Sequence, residues 1–101
     1  MLTPIHARMA RAALRWTLED LNERTGISKN TLLRFELGGG IHLNTAIAIE
    51  EAFTREGIVF TYESDQTGPS VGLSKDLAER MSSTITRAQA ERTARRNQPN
   101  K

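Results

Sequence analysis

Thr17 to Gly38 reads TLEDLNERTGISKNTLLRFELG, and this stretch decides the fold. Thr17 followed by Asp20 three residues later is a capping box, so a helix starts there. It ends at Thr25, where Gly26 supplies the left-handed residue that closes it. Ser28 caps a second helix, Lys29 to Leu37, which Gly38, Gly39 and Gly40 terminate. Leu21, Ile27, Leu32 and Phe35 are spaced to pack together. That packing fixes the second helix across the first and leaves its opposite side free. A helix presented in this way fits the major groove of a duplex and offers its N-terminal side chains to base edges.

Working outward, Pro4 suits the first turn of a helix that runs to about Trp16. Its apolar residues fall on two faces: Ala7, Ala10 and Leu14 with Arg11 among them, and Ile5, Met9, Ala12 and Trp16 opposite. One face joins the core, so the other needs a cover, whether the hairpin, a partner or the tail. Downstream, Asn44 is read as the cap of a helix running to Glu56, with Ala46, Ile49, Ala52 and Phe53 on one side and Gly57 as its stop. The period then changes. Ile58, Phe60 and Tyr62 alternate with Val59, Thr61 and Glu63, Ser64 to Pro69 is turn-rich, and Val71 and Leu73 alternate again. This predicts a β-hairpin. Ser74 caps a last helical segment with Leu77, Met81 and Ile85 at four-residue spacing.

The Thr17–Gly38 segment resembles the Cro/C1-repressor type of helix-turn-helix, the XRE family. More widely, RAALRWTLEDLNERTGISKNTLLRFELG followed by AIAIEEAFTREGIVF is similar to its small bacterial regulators. The resemblance covers roughly Ile5 to Leu73. It implies a mainly α fold of four to five helices with a C-terminal β-hairpin, to which this chain adds a helical tail. There are two departures: Leu18 stands where the family usually has Gln, and Asn22 where it favours Ala. The expected organisation is a DNA-binding domain over 1–57, a dimerising hairpin over 58–74, and a C-terminal helix and basic tail over 75–101.

By position in the resembled motif, Lys29, Asn30 and Arg34 face the bases. Their chemistry agrees, since Arg and Lys pair with guanine O6 and N7 and Asn with adenine N6 and N7. Leu33 lies on the same face, within reach of a thymine methyl; an exposed leucine between two cations is a strange choice for plain solvent. Thr17, Ser28 and Thr31 are suited to phosphates, helped by backbone N–H groups at the helix starts. Arg11 and Glu36 are expected to form a structural salt bridge, as the equivalent pair does in the family. A lone hairpin is marginal in water, so Ile58, Phe60, Tyr62, Val71 and Leu73 are expected at a homodimer interface.

Composition bounds the alternatives. With 38% hydrophobic residues, 5% aromatic and no cysteine among 101, the core is modest and no disulfide or thiolate metal site exists. His6 and His42 read as ordinary surface or turn residues, and no cofactor or metal is expected. No apolar run is long enough for a membrane and no signal-peptide pattern appears, so a cytoplasmic protein is expected. From Ile85 onward Arg87, Arg92, Arg95, Arg96 and Lys101 stand against Glu91 alone, a net +4 that leaves −2 for the rest. Glu19 with Asp20 and Glu50 with Glu51 are adjacent on helices and point apart, and the glycine run lacks the Lys and Ser/Thr of a nucleotide loop. No residue supports catalysis. The expected function is sequence-specific regulation, as a repressor dimer with helix 29–37 in the major groove of double-stranded DNA. The alternative is an antitoxin-like or anti-activator module that binds a toxin or other regulator through its C-terminal region. Two readings of the tail compete: the Leu77, Met81 and Ile85 stripe docks on the dimer, or the cations that follow, Arg87, Arg92, Arg95 and Arg96, reach flanking phosphates instead.

Overall fold

The computed structural model describes residues 1–83 and residue 92. Four helices, α1 (Pro4–Leu14), α2 (Leu18–Thr25), α3 (Lys29–Glu36) and α4 (Leu43–Glu56), precede strands β1 (Ile58–Thr61) and β2 (Ser70–Leu73). A fifth helix, α5, opens after Ser74 and covers 75–83 of the described residues. The strands pair antiparallel, with Ile58 opposite Leu73 and Phe60 opposite Val71. The mainly helical fold with a terminal hairpin is the one the residue pattern implies.

The start of α1 departs from expectation. Thr3 Oγ1 accepts from the His6 backbone N–H at 3.2 Å, and His6 Nδ1 accepts in return from the Thr3 N–H at 3.2 Å. His6 Nε2 lies 2.9 Å from the Thr61 carbonyl. A backbone N–H only donates and a carbonyl only accepts, so both partners require the neutral ring with its proton on Nε2. The ring is fully buried, edge-on to Phe60 and Tyr62. His6 is therefore no surface residue; it ties the first turn of α1 to the end of β1.

α1 also ends before Trp16. Arg15 adopts the left-handed conformation, φ 58, and its N–H bonds the Ala12 carbonyl. That turn lifts Trp16 off the outer stripe of α1 and stacks it on Phe53, with ring centroids 5.5 Å apart. The guanidinium of Arg24 covers the indole at 4.2 Å. Ile5, left behind on the outer stripe, is exposed.

α4 starts at Leu43, one residue before the expected Asn44 cap. His42 holds the extended N-cap geometry without a side-chain bond, which leaves Asn44 inside the first turn. Gly57 closes α4 at φ 111, and a Cβ there would lie 2.7 Å from Ser74 Oγ and 2.9 Å from Leu77 Cβ. The glycine serves both the turn and the close approach of α5.

The core centres on Phe53, which meets Trp16 on one side and the edge of Phe60 on the other. Leu2, Leu21, Leu32 and Ile49 surround it. Ile58 is 2% exposed and Leu77 4%, within the same cluster. This corrects the assignment of Ile58 to a dimer interface: the inner face of the hairpin closes over its own α1 and α4. Phe60 and Val71 lean on the same core, as does Met81, while Tyr62 and Leu73 are partly exposed. Ile85 and the cations Arg87, Arg95 and Arg96 lie outside the described residues; Arg92 is exposed.

One polar contact fastens the end of β1 to α4. The Tyr62 hydroxyl donates to Glu50 Oε1. That bond and burial push the phenol from its ordinary value near 10 up to about 12. A raised value means the neutral phenol is preferred in the fold. The contribution is complete below pH 10 and fades as pH rises toward 12. Glu50→Gln is expected to return the phenolate titration of the folded protein, followed by ultraviolet absorbance, toward the ordinary value. Identical midpoints in the two proteins would show that Glu50 does not hold Tyr62.

Candidate nucleic-acid interface

α3 is divided lengthwise. Leu32, Phe35 and Glu36 are buried, whereas Ser28, Lys29, Asn30, Leu33 and Arg34 are exposed and Thr31 is half-buried. The division follows helical spacing: the buried residues fall three and four apart and seat the helix on α1 and α2. The residues expected to read bases are thereby gathered on one outward face, with Leu33 at 44% exposure among them. Among the described residues the side chains of Asn30 and Arg34 have no hydrogen-bond or ionic partner. Lys29 Nζ stands 3.7 Å from Glu19 Oε1, a loose pair between two exposed side chains.

The hydroxyls read as phosphate contacts are occupied in capping. Thr17 Oγ1 accepts from the Asp20 N–H at 3.0 Å, and Asp20 Oδ2 accepts from the Thr17 N–H at 2.8 Å. These bonds hold the Asp20 carboxyl below its ordinary pKa. Ser28 Oγ accepts from the Thr31 N–H and donates to Thr31 Oγ1 at 2.9 Å. The outward hydroxyl proton at the start of α3 is therefore that of Thr31.

The two departures from the family pattern both have structural employment. Leu18 packs against the core and offers no hydrogen bond. Asn22 is half-buried and its Nδ2 donates to the Ile27 carbonyl at 2.7 Å, closing the turn between α2 and α3. Gly26 completes that turn at φ 75.

Arg11 holds the motif to α1. Its Nε and Nη2 donate to the two Glu36 oxygens at 2.7 and 2.8 Å, and its Nη1 donates to the Trp16 carbonyl at 2.9 Å. The bidentate bond to Glu36 raises the Arg11 pKa against the opposing effect of burial.

A groove of about 500 Å³ runs between α3 and the start of α4, lined by Thr31, Arg34, Gly40, Ile41, His42 and Thr45. Because His42 supplies no side-chain cap, the first backbone N–H groups of α4 are without a side-chain acceptor there. The misplaced cap at Asn44 concealed this. Among the described residues no group of three His, Asp or Glu could hold a metal ion.

Residues 8–56, from α1 to the end of α4, match the family model described as helix-turn-helix. This segment belongs to the Cro/C1-type helix-turn-helix family, the XRE family of DNA-binding regulators. The match stops at the end of α4 and leaves out the hairpin. No curated protein matches the chain, and among the described residues no helix is long and apolar enough to cross a membrane.

The Arg11–Glu36 pair makes a stability prediction. Glu36 is 5% exposed and Arg11 24%, so removing the arginine strands a buried carboxylate. Arg11→Met is expected to cost about 3 kcal/mol in urea denaturation, the lower end for a buried pair because Arg11 is partly hydrated. Adding Glu36→Leu should recover most of that loss. Additive losses in the double variant would mean that the two residues do not act as a pair.

Proposed function

We propose that this helix-turn-helix protein is a sequence-specific repressor that binds its operator as a homodimer, with α3 in the major groove. The observation that carries the reading is the outward face of α3. Asn30 and Arg34 are exposed and unpaired among the described residues, with Leu33 beside them, on a helix whose other side is fixed in the core. Arg34 suits guanine, Asn30 adenine and Leu33 a thymine methyl. Lys29 exchanges its weak contact with Glu19 for a base edge or a phosphate. Thr17 and Thr31, together with the uncapped N–H groups of α4, supply phosphate contacts that position without specifying, while Ser28 holds Thr31 in place. Arg11 and Glu36 act structurally.

Dimerisation in this reading uses the edge of the hairpin rather than its inner face. Ser74 donates its N–H to the Gly57 carbonyl at 2.7 Å. Antiparallel alternation then puts further hydrogen-bonded pairs at 59/72 and 61/70 and turns the backbone groups of Val71 and Leu73 outward. Two such β2 edges meeting on a two-fold axis build a four-stranded sheet and bring two α3 helices to one operator.

Arg34→Ala and Asn30→Ala are each expected to cost about 1–3 kcal/mol on a duplex selected by the wild-type protein, with little change on random duplex. Equal losses on both would remove these residues from base reading. If the wild type shows no salt-dependent duplex binding at all, the antitoxin-like protein-interaction reading replaces this one.

Leu73→Glu, at a partly exposed edge position, is expected to give monomers with weakened operator binding. Sedimentation of the variant is the check. An unchanged dimer would move the interface away from β2.

A further inference from the structure

The run Gly38–Gly40 contains three glycines with three different environments. Gly38 has φ 99 and donates to the Phe35 carbonyl at 3.0 Å, while Gly39 donates to the Arg34 carbonyl at 2.8 Å. These two bonds make the Schellman closure of α3, which explains Gly38 by its left-handed backbone. Gly40 has nothing within 4 Å of where a Cβ would stand. Gly39 is different. Its φ lies outside the left-handed region, yet a Cβ there would come 2.6 Å from Arg34 Cγ and 2.9 Å from the Arg34 carbonyl oxygen. A left-handed backbone does not account for this glycine; the stem of Arg34, the nearer contact, and the Arg34 carbonyl do.

From this contact we infer that Gly39 is a specificity-determining position that acts through Arg34. The missing side chain leaves the channel in which the aliphatic part of Arg34 lies, along the loop that leads to α4. The absent Cβ thereby admits the Cγ position that this long, exposed side chain adopts, with no polar partner for it among the described residues. A methyl at 39 closes the channel and drives Cγ into another rotamer. The inference rests on the proposed role of Arg34 as a base reader, but its structural half stands apart from DNA.

The test combines Gly39→Ala, Gly40→Ala, Arg34→Ala and the double variant Gly39→Ala/Arg34→Ala in the full chain. Two readouts are taken: the Arg34 side-chain Nε–H resonance of the free protein, and the ratio of affinities for a wild-type-selected duplex and a random one. Gly39→Ala is expected to shift the resonance and lower the ratio about tenfold, about 1.4 kcal/mol. Gly40→Ala should do neither. In the Arg34→Ala background, Gly39→Ala should cause no further loss. An unmoved resonance overturns the inference whatever the DNA data show, and so does an equal loss with and without Arg34. If instead the resonance moves while Arg34→Ala leaves the ratio unchanged, the base-reading role of Arg34 fails and the specificity claim with it. Should Gly39→Ala unfold the protein, Arg34→Ala in the same chain must restore its melting temperature, because it deletes the clashing Cγ. Failure to restore it would put the conflict at the carbonyl and overturn the inference.

Discussion

One guanidinium fixes the relation between three parts of this molecule. Arg11 reaches from α1 to both oxygens of Glu36 on α3 and, with its remaining nitrogen, to the carbonyl of Trp16 in the link before α2. Arginine is suited to the task because its planar fork matches a carboxylate and still leaves a donor for a third acceptor. Glu36 is buried, so the pair tolerates little displacement: moving α3 would leave a charge without its counterpart in a poorly solvated place. The bond to Trp16 carries the constraint further, because the indole stacked on Phe53 belongs to the residue whose carbonyl Arg11 holds.

The other anchorage is at the opposite end of α1. There a buried neutral histidine joins the helix start to β1, and aromatic edges from Phe60 and Tyr62 enclose it. The hairpin, weak on its own, is held to the helices by Ile58, by Phe60 against Phe53, and by the Tyr62 hydroxyl on Glu50. α5 contributes Leu77 to the same cluster.

Much of this was legible in the residues, and the exceptions have physical causes. Caps at Thr17 and Ser28, the stop at Gly26 and the change of period after Gly57 are local signals, and local signals are read from short windows. His6 was not legible as a core residue because its role depends on Thr61, which is distant in sequence. Trp16 continues the period of α1 in sequence but not in space, since the left-handed Arg15 intervenes and no glycine marks it. Alternation identifies the inner face of the hairpin without saying what covers it, and for Ile58 the cover is its own helices and not a partner. The outward set on α3 was legible through spacing and the family resemblance together. The groove beside it was not, because an asparagine that suits a cap stood two residues beyond the residue that occupies the cap.

The lengthwise division of α3 has an evolutionary consequence. Folding depends on Leu32, Phe35 and Glu36, and the exposed positions contribute little to it, since substitutions at such surfaces change stability by about half a kcal/mol or less. With α3 reading bases as proposed, lineages can therefore exchange residues at 29, 30 and 33 and acquire new target sequences without first acquiring spare stability. Position 34 is less free, because its side chain shares space with Gly39. Divergence among descendants of this chain should accordingly be fastest on the first turn and a half of the helix, with 34 and 39 changing in concert.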